Sequence, residues 1–406
     1  MNPRMLALLA VGHMTIDVYQ GSVPALLPFL KEAFQLTYAQ TGTIVLAMQV
    51  ASSLIQPIFG YLADRAERVW LMPAGVAVAA LGITGMGSAP SYTACLFVIT
   101  VGSLGIAAFH PQAYKAAHHY AGDRRATGMS LFTVGGNVGH ALGPIFITIV
   151  VLTFGLPHTY FGMVPGLIVA LLLLWAIPGM ARHRRGSGAI LEAAGPAGRA
   201  AVPAPQAHPP IPWGPLVFLI AVVSLRSWAQ IALSSYIPLF YRDYLGESPL
   251  LAGTVLLVYL GAGAAGTLVG GPLADRYGPR GTLALSLLLS TPLLFAFPHL
   301  RGAAALVVVG LAGFALVSTF SLTVVIAQSL LPTRGGIAAG LMVGFAVAAG
   351  GLGVAGLGLV ADAWGLLGTM YVLAAVPLCT VPFVWGLPAD ALAAERVLQE
   401  AKIPTR

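Results

Sequence analysis

The chain has 406 residues, 58% of them hydrophobic and only 8% Asp, Glu, Lys or Arg, against about 25% charged in an ordinary soluble domain, so the solvent of this fold is lipid. The net charge of +7 is explained by its distribution along a membrane chain rather than by a nucleic-acid partner. Cys95 and Cys379 fall in apolar runs of different halves and suggest neither redox chemistry nor a metal cluster.

Apolar stretches of about 20 residues, enough to cross a bilayer, follow one another with brief polar breaks. Twelve spans are predicted, at 5–29, 41–63, 70–88, 92–114, 126–152, 159–180, 214–240, 250–274, 280–298, 303–331, 335–361 and 366–387. Span 1 is too long for a cleaved signal and lacks a small-residue cleavage site, so it is retained. It holds Asp17, the only carboxylate deep in a span, with His13 at i−4 and Gln20 and Gly21 at i+3 and i+4. Acid, imidazole and amide therefore share one stripe. An ionisable group in a spanning helix costs about 2.5–3.5 kcal/mol and needs a reason. An acid among apolar helices is suited to taking up and releasing a proton, which makes Asp17, with His13, the proton-coupling candidate. The alternative is an acid permanently neutralised by His13 or by a helix-end amide.

Span 2 carries Gln49 and Gln56 and closes on Gly60-Tyr-Leu-Ala-Asp64-Arg65. Span 4 ends with His110, Pro111, Gln112 and Lys115, followed by His118 and His119. Proline at such depth frees a carbonyl and kinks a helix, which often marks a binding cavity. His110 is thus a candidate to bind substrate or relay protons, with a helix-packing role as the alternative; His118 and His119 read as interfacial. In span 5, Asn137 and His140 share a face with Gly136, Gly139 and Gly143. Glycines here and at Gly344, Gly350, Gly351 and Gly353 serve close helix contact.

Residues 182–212, rich in Arg, Gly, Ala and Pro, read as a flexible linker. They divide the chain into a six-helix bundle at 1–181 and another at 213–390, with a tail at 391–406. Span 7 carries Arg226, which cannot lose its charge and needs a carboxylate, carbonyls or an anionic ligand. It is predicted either to pair with Asp17 across the halves or to snorkel toward a helix end. Tyr236, Tyr241 and Gln328 complete the polar groups able to line a cavity, and span 8 closes on Gly271-Pro-Leu-Ala-Asp275-Arg276, with Arg280 following.

The two hexapeptides lie 211 residues apart, and residues 41–65 and 252–276 share nine identities in 25 gapless positions. The chain is a duplication. Shifting Asp17, His13 and His110 by 211 lands on Trp228, Ser224 and Ser321, so the titratable groups of one half have no copy in the other. With both termini in the cytoplasm, fifteen Lys and Arg fall on the inner side, and only Lys31, Arg242 and Arg301 on the outer. This is the positive-inside pattern. Asp64 and Asp275, at the cytoplasmic ends of their helices, are placed to cap a facing helix amino terminus and pair with Arg, latching one conformation. Gly60, Arg65, Gly271, Arg276 and Arg280 belong to the same device, and a plain charged loop is the alternative.

Both hexapeptide loops resemble the loop signature of the major facilitator superfamily, placed as in that family between spans 2 and 3 and between 8 and 9. The first copy departs from the pattern near Glu67. Gly12-His-Met-Thr-Ile-Asp-Val-Tyr-Gln20, Phe109-His-Pro111 and Phe132-Thr-Val-Gly-Gly-Asn-Val-Gly-His-Ala-Leu-Gly-Pro144 further resemble the fosmidomycin resistance protein group of drug exporters. The resemblance implies an all-α membrane protein of twelve transmembrane helices in two pseudo-symmetric bundles, and proton-coupled export of small molecules. It also implies that the glycine-rich part of span 5 packs against span 8. The expected protein is a monomeric antiporter of a bacterial cytoplasmic membrane, with protons and a small polar or anionic compound as ligands. Gln20, Gln49, His110, Asn137, Arg226, Tyr236 and Gln328 are its candidate substrate contacts. An uptake carrier for an organic anion or metal chelate is the second reading. No cofactor or resident metal is expected. An enzyme is disfavoured by the lack of a nucleophile, base and orienter set, and a sensor by the lack of an output domain.

Overall fold

The computed structural model describes residues 1–65, 69–193, 211–331 and 340–387. The protein is helical, with no strand among the described residues. Helix α1 spans Pro3–Phe34. Span 2 comprises α2 (Tyr38–Gln49), a π-helical turn at Val50–Leu54 and α3 (Gln56–Arg65). The first half continues with α4 (Leu71–Gly85), α5 (Tyr92–Ala121), α6 (Arg125–Phe154) and α7 (Val164–Ala193). The second half holds α8 (Trp213–Leu239), α9 (Pro249–Tyr277), α10 (Pro279–Ala296), α11 (Gly302–Val317), α12 (Phe320–Leu330) and α13 (Ala346–Val384).

Local chemistry sets several helix starts. Asn2 accepts from the Met5 amide and Pro3 occupies the first turn of α1, where a missing N–H costs nothing. Thr37 and Gln40 form a reciprocal capping box on α2. Ser91 and Ser248 cap α5 and α9. The left-handed backbone of Gln35, φ 52°, ends α1 with its amide bonded to Glu32 and Lys31 carbonyls.

Among the described residues ten helices are long and apolar enough to cross a membrane, one of them the 38-residue run Val347–Val384. That run holds most of the eleventh and twelfth predicted spans, divided at Gly365, whose φ of 73° only glycine adopts without strain. Helix α1 is outside the ten but has 32 residues, ample to span. The chain is thus a multi-pass membrane protein with the twelve-helix, two-bundle architecture predicted. Several helices outrun their predicted ends, and two of these overruns bear on the site and the linker. Helix α5 continues to Ala121, so His110 lies inside it. Helix α7 reaches Ala193, so the predicted linker begins as helix; its central residues lie outside the described ones.

The glycine stripe of α6 faces α1, not the eighth span. A Cβ on Gly135, Gly139 or Gly143 would meet the carbonyl of Ala10, Met14 or Val18, and one on Gly21 would meet His140. Bare backbones approach here as in small-residue membrane interfaces. Helix α6 touches α9 further along, where Pro144 and Thr148 lie beside Gly253.

Candidate functional site

The α1–α6 contact delivers Asp17 to a polar cluster inside the first bundle. His13 Nε2 lies 3.3 Å from Asp17 Oδ2, and His110 Nε2, from α5, lies 3.3 Å from Oδ1. The rings are held from behind. His13 Nδ1 is 2.9 Å from the Phe132 carbonyl, and His110 Nδ1 is 2.9 Å from the Ile106 carbonyl. A carbonyl only accepts, so both Nδ1 atoms carry hydrogen and donate. Each neutral ring therefore turns the lone pair of Nε2 toward a carboxylate. That arrangement is repulsive until protons enter it. Asp17 Oδ1 is buried and faces His110 Nε2.

The surroundings hold this cluster tightly. The Phe132 ring stacks on His13 at 4.2 Å, and Tyr114 and His110 meet His13 edge-on at 5.8 and 5.2 Å. His140 of α6 is within electrostatic range of Asp17. A Cβ on Gly136 would fall 2.5 Å from His13 Nε2 and 2.7 Å from Asp17 Oδ2, so only glycine leaves room for the pair. The ligating atoms of His13, Asp17 and His110 lie within 4.8 Å of one another, a space that protons or one small cation can share.

The predicted pairing of Asp17 with Arg226 is not formed. Asp17 is taken by two histidines of its own half, whereas Arg226 is 0% exposed within the second half and its Nη1 donates to Gln230 at 2.8 Å. Complete burial also rules out snorkelling in this conformation. The other predicted contacts scatter. Tyr236 donates to the Val354 carbonyl and serves packing. Gln49 is buried beside Gly351 with its Oε1 unpartnered. Gln20 and Asn137 are half-buried, and Gln328 is exposed on α12.

Of the predicted latch, the side chains of Asp64 and Arg65 lie outside the described residues. Asp275 and Arg276 are exposed; Arg276 stands over Tyr277 at 5.3 Å and Arg280 over Trp385 at 4.6 Å, both within the second half. A Cβ on Gly60 would touch only Pro111, at 4.0 Å, and one on Gly271 nothing. The described inter-bundle polar contacts lie at the opposite end. Lys31 pairs with Asp243 at 3.1 Å, Arg242 with Glu32 at 3.4 Å, and the Tyr38 hydroxyl donates to Asp243 at 3.1 Å. Asp362 of α13 accepts from the Tyr38 and Ala39 amides at 2.7 and 3.0 Å, capping α2. Sequence reasoning assigned Lys31 and Arg242 to outer loops and missed the closure they form, because each partner lies at least 210 residues away in the chain.

Comparison with known proteins agrees with this architecture. The family model described as Major Facilitator Superfamily matches residues 9–354. The chain is 33% identical over 387 residues to YfnC, an uncharacterized MFS-type transporter of Bacillus subtilis, covering 95% of this chain and 93% of that protein. It is 31% identical over 370 residues to the fosmidomycin resistance protein of Escherichia coli, covering 88% and 86%. The crystal structure of the nucleoside transporter NupG superposes with a TM-score of 0.72 at 15% identity, over 95% of this chain and 99% of that one, a likeness of fold.

Proposed function

The chain belongs to the Major Facilitator Superfamily, and from that premise we propose that it is a proton-coupled antiporter exporting a small polar or anionic compound by alternating access. It is a membrane transporter of small molecules and not an enzyme. The observation that carries the proton role is the orientation of two histidines whose Nδ1 atoms are both committed to carbonyls, leaving both Nε2 atoms on one carboxylate. Between them Asp17, His13 and His110 have room for up to two protons, each removing one lone-pair repulsion. Loading the cluster changes the charge at the centre of the first bundle, and a charge change at such depth biases any equilibrium between open states.

Export, a bacterial cytoplasmic membrane and cytoplasmic termini are part of the same proposal. They rest on the Lys and Arg asymmetry and on the similarity to a protein named for fosmidomycin resistance. In that orientation the ion-paired end is the outer one, and the conformation described is closed to the outside. A fosmidomycin-like phosphonate or a metabolite of similar charge is the substrate class that these observations support.

The test is transport by purified protein in proteoliposomes under an imposed pH gradient, with fosmidomycin as probe. The unaltered protein should drive uphill flux. Asp17→Asn, which keeps shape and loses titration, should abolish gradient-driven flux while substrate exchange without a gradient continues. Full gradient-driven transport by Asp17→Asn would refute the coupling role.

A further inference from the structure

We propose that Arg226 forms an oxyanion-binding site in the second bundle, receiving the carboxylate, phosphonate or phosphate group of the transported molecule on its free side-on edge; this rests on the transporter reading above. The guanidinium is 0% exposed. Its Nη1 donates to Gln230 Oε1 at 2.8 Å, a neutral partner one helical turn away. Nε and Nη2 have no hydrogen-bond partner. Those two nitrogens form one edge of the planar group, with parallel N–H bonds spaced to meet two oxygens of one anion.

No carboxylate answers this charge among the described residues. The groups brought to Arg226 are the ring of Phe320, 5.4 Å from Cζ on α12, and Tyr259 on α9, whose hydroxyl donates weakly to the Gln230 carbonyl at 3.4 Å. Asp17, the only deep acid predicted in any span, is committed to His13 and His110 in the other half. A buried cation with an aromatic face, one amide and an open fork lacks only its anion. Arg226 sits 13 residues into α8, about 20 Å along the helix, well below headgroup level. That depth favours a small soluble oxyanion over a lipid phosphate. The enclosure leaves no space beside Nε and Nη2 in this conformation, so the anion reaches this edge only as the bundles move.

The protein in neutral detergent at low salt is titrated with methylphosphonate, inorganic phosphate and acetate while its melting temperature is followed. Acetamide serves as the uncharged control and dioctanoyl phosphatidic acid as the lipid bearing the same group. The oxyanions should raise the melting temperature in a saturable way and acetamide should not. Arg226→Lys, which keeps the charge and loses the fork, should weaken the half-saturating concentration by about tenfold or more. Arg226→Met should abolish the response. Gln230→Glu retains the arginine and supplies an internal carboxylate, so it should raise the ligand-free melting temperature and abolish the response, an outcome that misfolding cannot imitate.

An unaltered protein that responds to none of the oxyanions would overturn the site. So would Arg226→Met responding like the unaltered protein, or stabilisation by the phosphatidic acid alone. Proteoliposome flux measured on the same preparations separates the two readings. Flux without an oxyanion response removes this site and leaves the transporter, whereas an intact response without gradient-driven flux removes the coupling and leaves the site.

Discussion

At the residue scale, the cluster depends on one position that carries no chemistry. Gly136 has no polar atom in its side chain, yet any Cβ there enters the space of His13 Nε2 and Asp17 Oδ2. Gly136→Ala should displace the His13–Asp17 pair, lower gradient-driven transport at least about tenfold, and destabilise the protein by about 1–3 kcal/mol as an overpacked core. Gly261→Ala is the matched control, because nothing lies within 4 Å of a Cβ there. It should leave transport intact and stabilise by up to about 1 kcal/mol through helix propensity. Flux and thermal melts of both variants check this. Asp17 and His13 were legible in the sequence because an i, i+4 polar pair in an apolar helix needs only local reading. His110 was visible as a histidine beside a deep proline. Phe132, Tyr114 and Gly136 were invisible as site residues, since an aromatic or glycine in a membrane helix is ordinarily packing.

At the scale of elements, α2 and α13 are joined by a carboxylate at a helix start. The Thr37–Gln40 box satisfies the Gln40 amide, and Asp362 satisfies those of Tyr38 and Ala39. The orphan amides of α2 are thereby filled by its own cap residue and by a carboxylate of α13. The sequence places such latches at Asp64 and Asp275, at the cytoplasmic ends of their helices, and does not single out Asp362, which caps the start of α2. Asp362→Ala should cost this closure about 0.5–2 kcal/mol, the worth of a cap. Thr41, fully buried behind the contact, reports the change when replaced by Cys in a chain with Cys95→Ser and Cys379→Ser. A membrane-impermeant thiol reagent should label Thr41→Cys slowly with Asp362 intact and several-fold faster without it. Unchanged labelling would mean that the surrounding ion pairs alone hold this end shut. The ion pairs themselves are weaker supports: Glu32 is 74% exposed and its pair with Arg242 is worth about 0–1 kcal/mol. Near the other end, α2 passes into a π-helical turn at Val50–Leu54 and the chain leading to α13 into one at Gly340–Phe345. A Cβ on Gly344 would lie 3.3 Å from the Ser53 carbonyl, so the two irregular turns meet and are candidate hinges.

At the scale of the whole molecule, two bundles built from one duplicated sequence meet through a limited set of helices and differ in what they carry. One has the titratable cluster and the other a buried cation with no carboxylate partner among the described residues. This division predicts that the halves are separable. Residues 1–200 and 201–406, produced together from a chain cut within the polar segment, should reassemble in the membrane and restore gradient-driven transport, while either half alone should give none. Affinity capture of one half with the other, followed by flux in proteoliposomes, checks the expectation. Failure to co-purify would show that the segment does more than tether.

Hydropathy, helix caps, the duplication and the loop signature are local properties, carried by residues close together in the chain. For that reason the sequence by itself determined the membrane setting, the helices, the fold class and the family, and it singled out Asp17, His13, His110 and Arg226. Tertiary structure alone decided which of these meet. Helix rotation and the close approach of bare backbone across Gly135, Gly136, Gly139 and Gly143 bring Asp17 to His110 rather than to Arg226, and turn the glycine stripe toward α1 rather than the eighth span. The same packing seats Asp362 on the start of α2, 324 residues away. Contacts of that range depend on how apolar faces interlock across the whole bundle, and no local pattern records them.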